Sequence, residues 1–259
     1  MINRDILRIA MEQSARDLCA HPEDFEKSDP VIVTSHESEE ARRYLKLPFS
    51  CQLVTYGPNV VASVSPACRE IAEAYLAAYP PAHALETPNL HVLNDALRPL
   101  GQRICFMAEY FLPDLTALRE LPCPLETRLL TPSDFADLYL PTWSNALCES
   151  RKHLDVLAVG AYDGERPVGL AGASADCDSM WQIGIDVLPE YRRRGIASAL
   201  TAKLALEILA RGKVPFYCAA WCNIPSVRNA IRSGFRPAWA EMTAKPLEFV
   251  ADMNTPSAH

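Results

Sequence analysis

The chain has 259 residues, enough for one large or two modest domains. It is 49% apolar and 22% charged, an ordinary globular balance, and its net charge of −7 argues against a general nucleic-acid or anionic-membrane surface. No apolar run approaches the roughly 20 residues of a membrane span. The N-terminus is a charged amphipathic pattern without a signal-peptide core, so the expected compartment is the cytoplasm. Nine cysteines and six histidines are scattered without a C-x-x-C pair or a zinc spacing, so reduced core thiols are expected and a metal site is not.

In chain order, residues 2–19 carry apolar positions on one helical face, and a short second helix follows the His21-Pro22 break. Residues 38–45 begin acidic and end basic, which predicts a helix. Cys51–Tyr56 and Val60–Val64 read as strands around the turn residues Gly57, Pro58 and Asn59. Two helical patterns, ACREIAEAYLAAY and Asn89–Leu97, precede a strand at Arg103–Tyr110. Pro122 and Pro124 mark the expected domain boundary, giving domains 1–124 and 125–259. A strand at Leu125–Leu130 follows, then a helical region to Leu147 interrupted at Pro141. Leu154–Tyr162 and Pro167–Ala173 form a hairpin around Asp163-Gly164. Then come a strand to Val187, a helix from Gly195 to Arg211, a strand at Val214–Ala220, a helix at Pro225–Arg232 and two short strands within Trp239–Val250.

The most informative stretch is Trp181–Leu200, WQIGIDVLPEYRRRGIASAL. A period-two strand ends at Leu188-Pro189, and a Gly-containing turn opens a helix. Such a turn presents unpaired backbone N–H groups at the positive end of a helix, a site for an anion such as phosphate. The spacing is neither that of a P-loop nor that of the dinucleotide fingerprint. Arg192, Gly195 and Ala197 instead fit R-x-x-G-x-[GA], set between V-L-P-E-Y and an apolar helix. In that setting the stretch resembles the acyl-CoA signature of the GNAT superfamily of N-acetyltransferases. Residues 125–250 also follow the family's element order, β-α-α-β-β-β-α-β-α-β, and Asn223, Ser226, Gly234 and Phe235 fit its N-x-x-[AS]…GF tail.

The resemblance implies an α+β fold, with a mixed, mostly antiparallel sheet flanked by helices behind an N-terminal α/β domain. It implies acetyl-CoA as co-substrate, no metal, and direct transfer to a small-molecule or peptide amine in a ternary complex. Neither nucleic acid nor membrane is an expected partner, and the N-terminal half would shape the acceptor cleft or form a homodimer. The pyrophosphate would meet the N–H groups of Arg193, Arg194, Gly195, Ile196, Ala197 and Ser198, with the Arg192 and Arg194 side chains screening its charge. The pantetheine arm would run along Ile185, Asp186 and Val187, ordered by Asn223 and Ser226.

The acid and base are harder to place. Where relatives carry a catalytic Tyr, this chain has Ala230, and where some carry a Glu it has Trp181 or Cys218. The remaining candidates are Asp186, Tyr217 and Glu149, with Asp176 and Asp178 more simply turn residues. Cys148 reads as a core thiol, since direct transfer needs no covalent nucleophile. Two alternatives stand beside the enzyme: a non-catalytic acyl-CoA sensor or scaffold, and an interaction protein that has lost CoA.

The N-terminal half contains a partial echo. Val64-Ser65-Pro66-Ala67-Cys68-Arg69 parallels Val187-Leu188-Pro189-Glu190-Tyr191-Arg192, and Leu93–Arg98 parallels Val227–Arg232. A degenerate second copy of the fold is the expectation. In it Ala72 replaces Gly195, Ala74 matches Ala197, and Glu70 and Glu73 replace Arg193 and Ile196, so this copy would not hold CoA.

Overall fold

The computed structural model describes residues 1–255. Helix α1 spans Asn3–Leu18, and a 3-10 turn follows at Pro22–Glu26. Strands β1 (Val31–Thr34), β2 (Cys51–Thr55) and β3 (Val61–Val64) come next, then a 3-10 turn at Pro66–Cys68. Helices α2 (Arg69–Ala78) and α3 (Thr87–Leu97) precede the long strand β4 (Gln102–Pro113). Strands β5 (Glu126–Leu130), β6 (Asp155–Asp163), β7 (Arg166–Ser174) and β8 (Met180–Val187) lead into helix α4 (Ile196–Ala210). Strand β9 (Val214–Ala219), helix α5 (Ile224–Arg232), strand β10 (Phe235–Pro246) and helix α6 (Leu247–Met253) complete the order.

Three expectations differ from these elements. No helix forms over 38–45. The buried Arg42 holds that segment instead: its backbone N–H donates to Asp17 at 2.8 Å, its Nε also bonds Asp17, and its Nη2 meets Glu241 at 2.6 Å. The helical region before Leu147 breaks into 3-10 turns at Ala136–Leu138 and Pro141–Trp143. The two terminal strands are one, β10, and Pro246 both ends it and opens α6.

By contact the chain divides elsewhere than at Pro122–Pro124. Met1–Ala10 with Tyr110–Ala238 makes one compact unit, and Met11–Glu109 with the described residues from 239 to 255 makes another. In the first unit β5, β6, β7 and β8 form an antiparallel meander, and β9 adds to β8 in parallel. Helix α4 is apolar almost all round, as a helix buried against a sheet must be. Its Ile196, Leu200, Leu204 and Ile208 pack on Val159, Ala171, Ala173 and Ile183. The opposite face of the same strands is covered by Phe135, Trp143, Ala146 and Leu147, which pack with Leu130, Ala158 and Leu170. The fold is thus a mixed, mostly antiparallel sheet flanked by helices.

In the other unit β3 lies between β1 (parallel) and β2 (antiparallel), and β2 pairs with Ala240–Thr243 of β10. Its core joins Leu53, Val64, Tyr75, Leu76, Leu93 and Leu97. The echo of the motif extends to strand, 3-10 turn and helix, and recurs where α3 gives way through a left-handed Gly101 to β4, as α5 does through Gly234 to β10; the strand pairing differs. The parallel partner of β3 comes from upstream, and their ladder stays closed to its end: Thr34 pairs with Val64, and Ser35 N–H donates to the Val64 carbonyl at 2.9 Å. No strand pair opens near Val64, the feature that a second copy of the fold requires. Ala72 is buried inside α2 rather than in the turn before it, because this helix begins at Arg69.

Candidate functional site

Strand β8 has two different edges. Toward β7 it is laddered from Gln182 to Val187. Toward β9 only Met180, Trp181 and Gln182 are paired, opposite Val214, Pro215 and Phe216. From Ile183 to Val187 the two strands have diverged, so this edge has no sheet partner from β9, and apart from the Val187 carbonyl, which Arg192 takes, its outward backbone groups can bond an extended ligand. The faces also differ. Ile183, Ile185 and Val187 turn toward α4, while Gly184 and Asp186 lie on the other side.

The open edge leads into the turn predicted as an anion site. Pro189–Tyr191 makes a 3-10 turn, Arg193 takes a left-handed φ of 62°, and Gly195 is the N-cap of α4 with φ 82°. A Cβ at Gly195 would meet nothing within 4 Å, so the glycine is there for its backbone angle and leaves open space in front of the helix. The first N–H groups of α4, from Gly195 through Ser198, have no intrahelical acceptor. Two arginines shape this turn: Arg192 Nε donates to the Val187 carbonyl at 2.9 Å, and Arg194 Nη2 to the Glu190 carbonyl at 3.0 Å. The Arg194 guanidinium also lies 5.1 Å from the Tyr191 ring centre. Arg193 is exposed. The β6–β7 hairpin braces the turn from outside, with Tyr191 Oη donating to Asp163 at 2.6 Å and Arg166 bonded to Glu190 at 3.0 Å. Ile196, 1% exposed, anchors the helix start against Gly169.

Past the fork, Tyr217 is the first residue of β9 without a β8 partner. Its hydroxyl lies 2.7 Å from Ser226 Oγ, and the ring is buried against Phe111 and Phe235. Burial pushes its pKa up, so it is a phenol at neutral pH. Asn223 caps α5 by accepting from the Ser226 N–H at 3.3 Å, which ties the Asn and Ser of the tail motif to one another and to Tyr217. Ala230 is fully buried in the core, so its position turns inward, where a tyrosine would not fit without repacking. Cys218 Sγ accepts from Gln182 Nε2 at 3.1 Å, directly beside the last paired position.

The structure separates the three acid–base candidates. The Asp186 carboxylate is committed on both oxygens: Asn145 N–H and Ala146 N–H donate to one at 2.9 and 3.0 Å, and Asn145 Nδ2 to the other at 2.6 Å. It anchors a loop and is not placed as a base. Glu149 is 74% exposed and pairs with Lys152 at 3.4 Å, within a surface 3-10 turn, so nothing ties it to the fork. Tyr217 borders the fork from β9, as Asp186 does from β8, and its hydroxyl is bonded to Ser226. Asp176 is buried beside Arg151 and accepts from Ser174 Oγ at 2.9 Å, a structural setting. Arg151 and Ser150, which hold the Cys148 sulfur at 3.4 Å, lower its pKa against the opposing effect of burial. Residues that sequence reasoning passed over are Asn145, Gly172 and Gly184. Glycines inside strands commonly mark a close backbone approach, which was the available signal.

Among the described residues no group of His, Cys, Asp and Glu is placed to hold a metal, and no helix is long and apolar enough to cross a membrane. A surface groove lined by Arg16, Cys19, His36 and Glu40 shares no residue with the fork, and Arg16 there pairs with Glu40 at 3.6 Å.

A parallel strand pair that opens onto a glycine-capped helix N-terminus forms a cleft with free backbone donors at its end, suited to an extended anionic ligand. The match to a family model is specific: residues 154–238 fit the family GNAT acetyltransferase, so the C-terminal part of the chain carries a domain of that family. Solved structures with related folds include a GCN5-related N-acetyltransferase-like protein from Streptococcus suis (22% identity, 61% of this chain and 69% of that chain covered, TM-score 0.45). Others are GCN5-related N-acetyltransferases from Kribbella flavida (18%, 64% and 66%, TM-score 0.47) and Sphaerobacter thermophilus (16%, 73% and 72%, TM-score 0.47). This chain therefore spans about two thirds of the length of such proteins. Comparison with curated proteins gives no match.

Proposed function

We infer that the C-terminal domain is an acetyl-CoA-dependent N-acetyltransferase acting on an amine. The observation that carries this reading is the open edge Ile183–Val187 running directly into the Gly195 turn. The turn offers backbone donors and a helix dipole to a pyrophosphate, and the edge offers backbone groups to the amides of a pantetheine arm. Arg192 and Arg194 set the turn with their side chains, which leaves Arg193 to screen phosphate charge. Asn223 and Ser226 order the opposite side of the fork.

The amine nitrogen attacks the thioester carbonyl, the C–N bond forms, the C–S bond breaks, and CoA leaves as thiolate. The attacking nitrogen loses one proton and the thiolate gains one. Tyr217, held as a phenol next to the fork, is the group we assign to protonate the thiolate, with Ser226 supporting its hydroxyl. Solvent takes the amine proton, because neither Asp186 nor Glu149 is placed to do so. Replacing Tyr217 by Phe should lower the transfer rate about 100-fold, the lower end for loss of a general acid, while acetyl-CoA affinity holds. A rate within twofold of wild type would remove Tyr217 from the mechanism.

The commitment of Asp186 and the absence of a carboxylate base favour one second reading, a domain that holds acyl-CoA without turning it over. Calorimetric titration with acetyl-CoA and thiol release over an amine panel separate the two. Binding with turnover supports the enzyme; binding without turnover supports the sensor. Failure to bind, with Gly195→Glu indistinguishable from wild type, would overturn both.

A further inference from the structure

Helix α4 covers the Ile183, Ile185 and Val187 face of β8, so a thioester lying in the fork is open only on the other face. That face is occupied by residues 140–148. Trp143, Ala146 and Leu147 of this segment are buried, and its backbone is fixed at Asn145 and Ala146 by the three hydrogen bonds to Asp186. The approach is unusually close. Gly172 and Gly184 are cross-strand partners, and a Cβ on either would collide with the carbonyl oxygen of Ala146 or Asn145. A paired glycine window in the sheet and a carboxylate latch together set where the segment sits.

The position of this segment along β8 gives it a meaning. The phosphate turn is at the C-terminal end of the strand and the fork at Gln182. An arm that follows the open edge reaches the fork after five residues, about 16 Å at the usual rise per strand residue. The Asn145 carbonyl lies over Gly184, two residues from that end. Resting on the acyl-CoA reading above, we propose that residues 140–148 wall off the acyl end of the cleft and restrict the donor to short acyl chains. Asp186 is the positioning residue that latches this wall.

The test uses the full chain with acetyl-CoA and hexanoyl-CoA as probes, titrated calorimetrically, and amide hydrogen exchange at Asn145 and Ala146. The wild type should bind acetyl-CoA in preference to hexanoyl-CoA and protect both amides. Asp186→Ala, which removes the acceptor of all three bonds, should lose that protection and shift the affinity ratio toward hexanoyl-CoA by about tenfold, a fraction of what burying four further methylenes can supply. Asn145→Ala, which deletes one of the three bonds, should shift it in the same direction by less. A folded Asp186→Ala protein that loses protection but keeps the wild-type ratio would overturn the wall, and one that keeps protection would overturn the latch. A wild-type protein that binds neither thioester would instead refute the acyl-CoA reading itself.

Discussion

Gly195→Ala tests the proposed phosphate turn against an internal control. Gly195 has φ 82° and Gly164, in the β6–β7 hairpin, has φ 60°; a Cβ at either would meet nothing within 4 Å. Neither substitution creates a clash, so each destabilises the fold only through the left-handed backbone, by about 1–2 kcal/mol. Urea denaturation should show similar losses for Gly195→Ala and Gly164→Ala. Binding should part them. The new methyl at Gly195 enters open space at the start of α4, where the proposed function brings a phosphate. Acetyl-CoA affinity should fall at least about tenfold, equivalent to 1.4 kcal/mol, while Gly164→Ala binds as wild type. The wild-type affinity should also weaken with rising ionic strength, since the turn and Arg193 are exposed. Equal affinities for the two variants at equal stability would refute the placement of the pyrophosphate at this turn.

Three further outcomes concern the scaffold. Gly172→Ala places a methyl against the Ala146 carbonyl and should cost about 1–3 kcal/mol, read as a lower urea midpoint; an unchanged midpoint would mean that the loop is not seated on the sheet. Arg42→Met strands the buried carboxylates of Asp17 and Glu241 and should cost about 3–5 kcal/mol in the same measurement. Asp114 has its pKa lowered from 3.8 to about 2, first by the Thr116 hydroxyl and amide and then by Asn3. Its contribution to stability is complete above pH 3.8 and is lost as pH falls toward 2. Acid titration of Asp114→Asn should show a shallower decline across that window than the wild type; parallel curves would contradict the hydrogen-bonded carboxylate.

The glycine-capped turn is legible because its local structure is set by neighbouring residues. A strand-ending Pro189, a glycine that must adopt a left-handed angle and an apolar helix are adjacent in sequence, and Gly195 sits where the pattern puts it. The fork itself was legible only through the family resemblance, because no pattern in Ile183–Val187 says on which side its pairing stops. Asp186 illustrates a related limit: the sequence offers it as an acid–base candidate, while the partners that hold it, Asn145 and Ala146, lie 41 and 40 residues away. The helix expected over 38–45 failed because a charge gradient is a weak local preference, and tertiary bonds from Arg42 to Asp17 and Glu241 override it. The N-terminal echo shows the same limit. Strand, turn and helix recur around Val64, but which strand lies beside β3 is settled by β1, upstream of the repeated segment.

The most direct measurement is thiol release from acetyl-CoA by the full chain, over a panel of polyamines, aminoglycosides and lysine- or N-terminus-bearing peptides, with products weighed by mass spectrometry. The predicted result is amine-dependent release of CoA with one acetyl group added to an amine, abolished in Gly195→Glu. Tight, Gly195-dependent binding of acetyl-CoA with no amine acetylated would contradict the enzyme and leave the acyl-CoA-binding domain in its place.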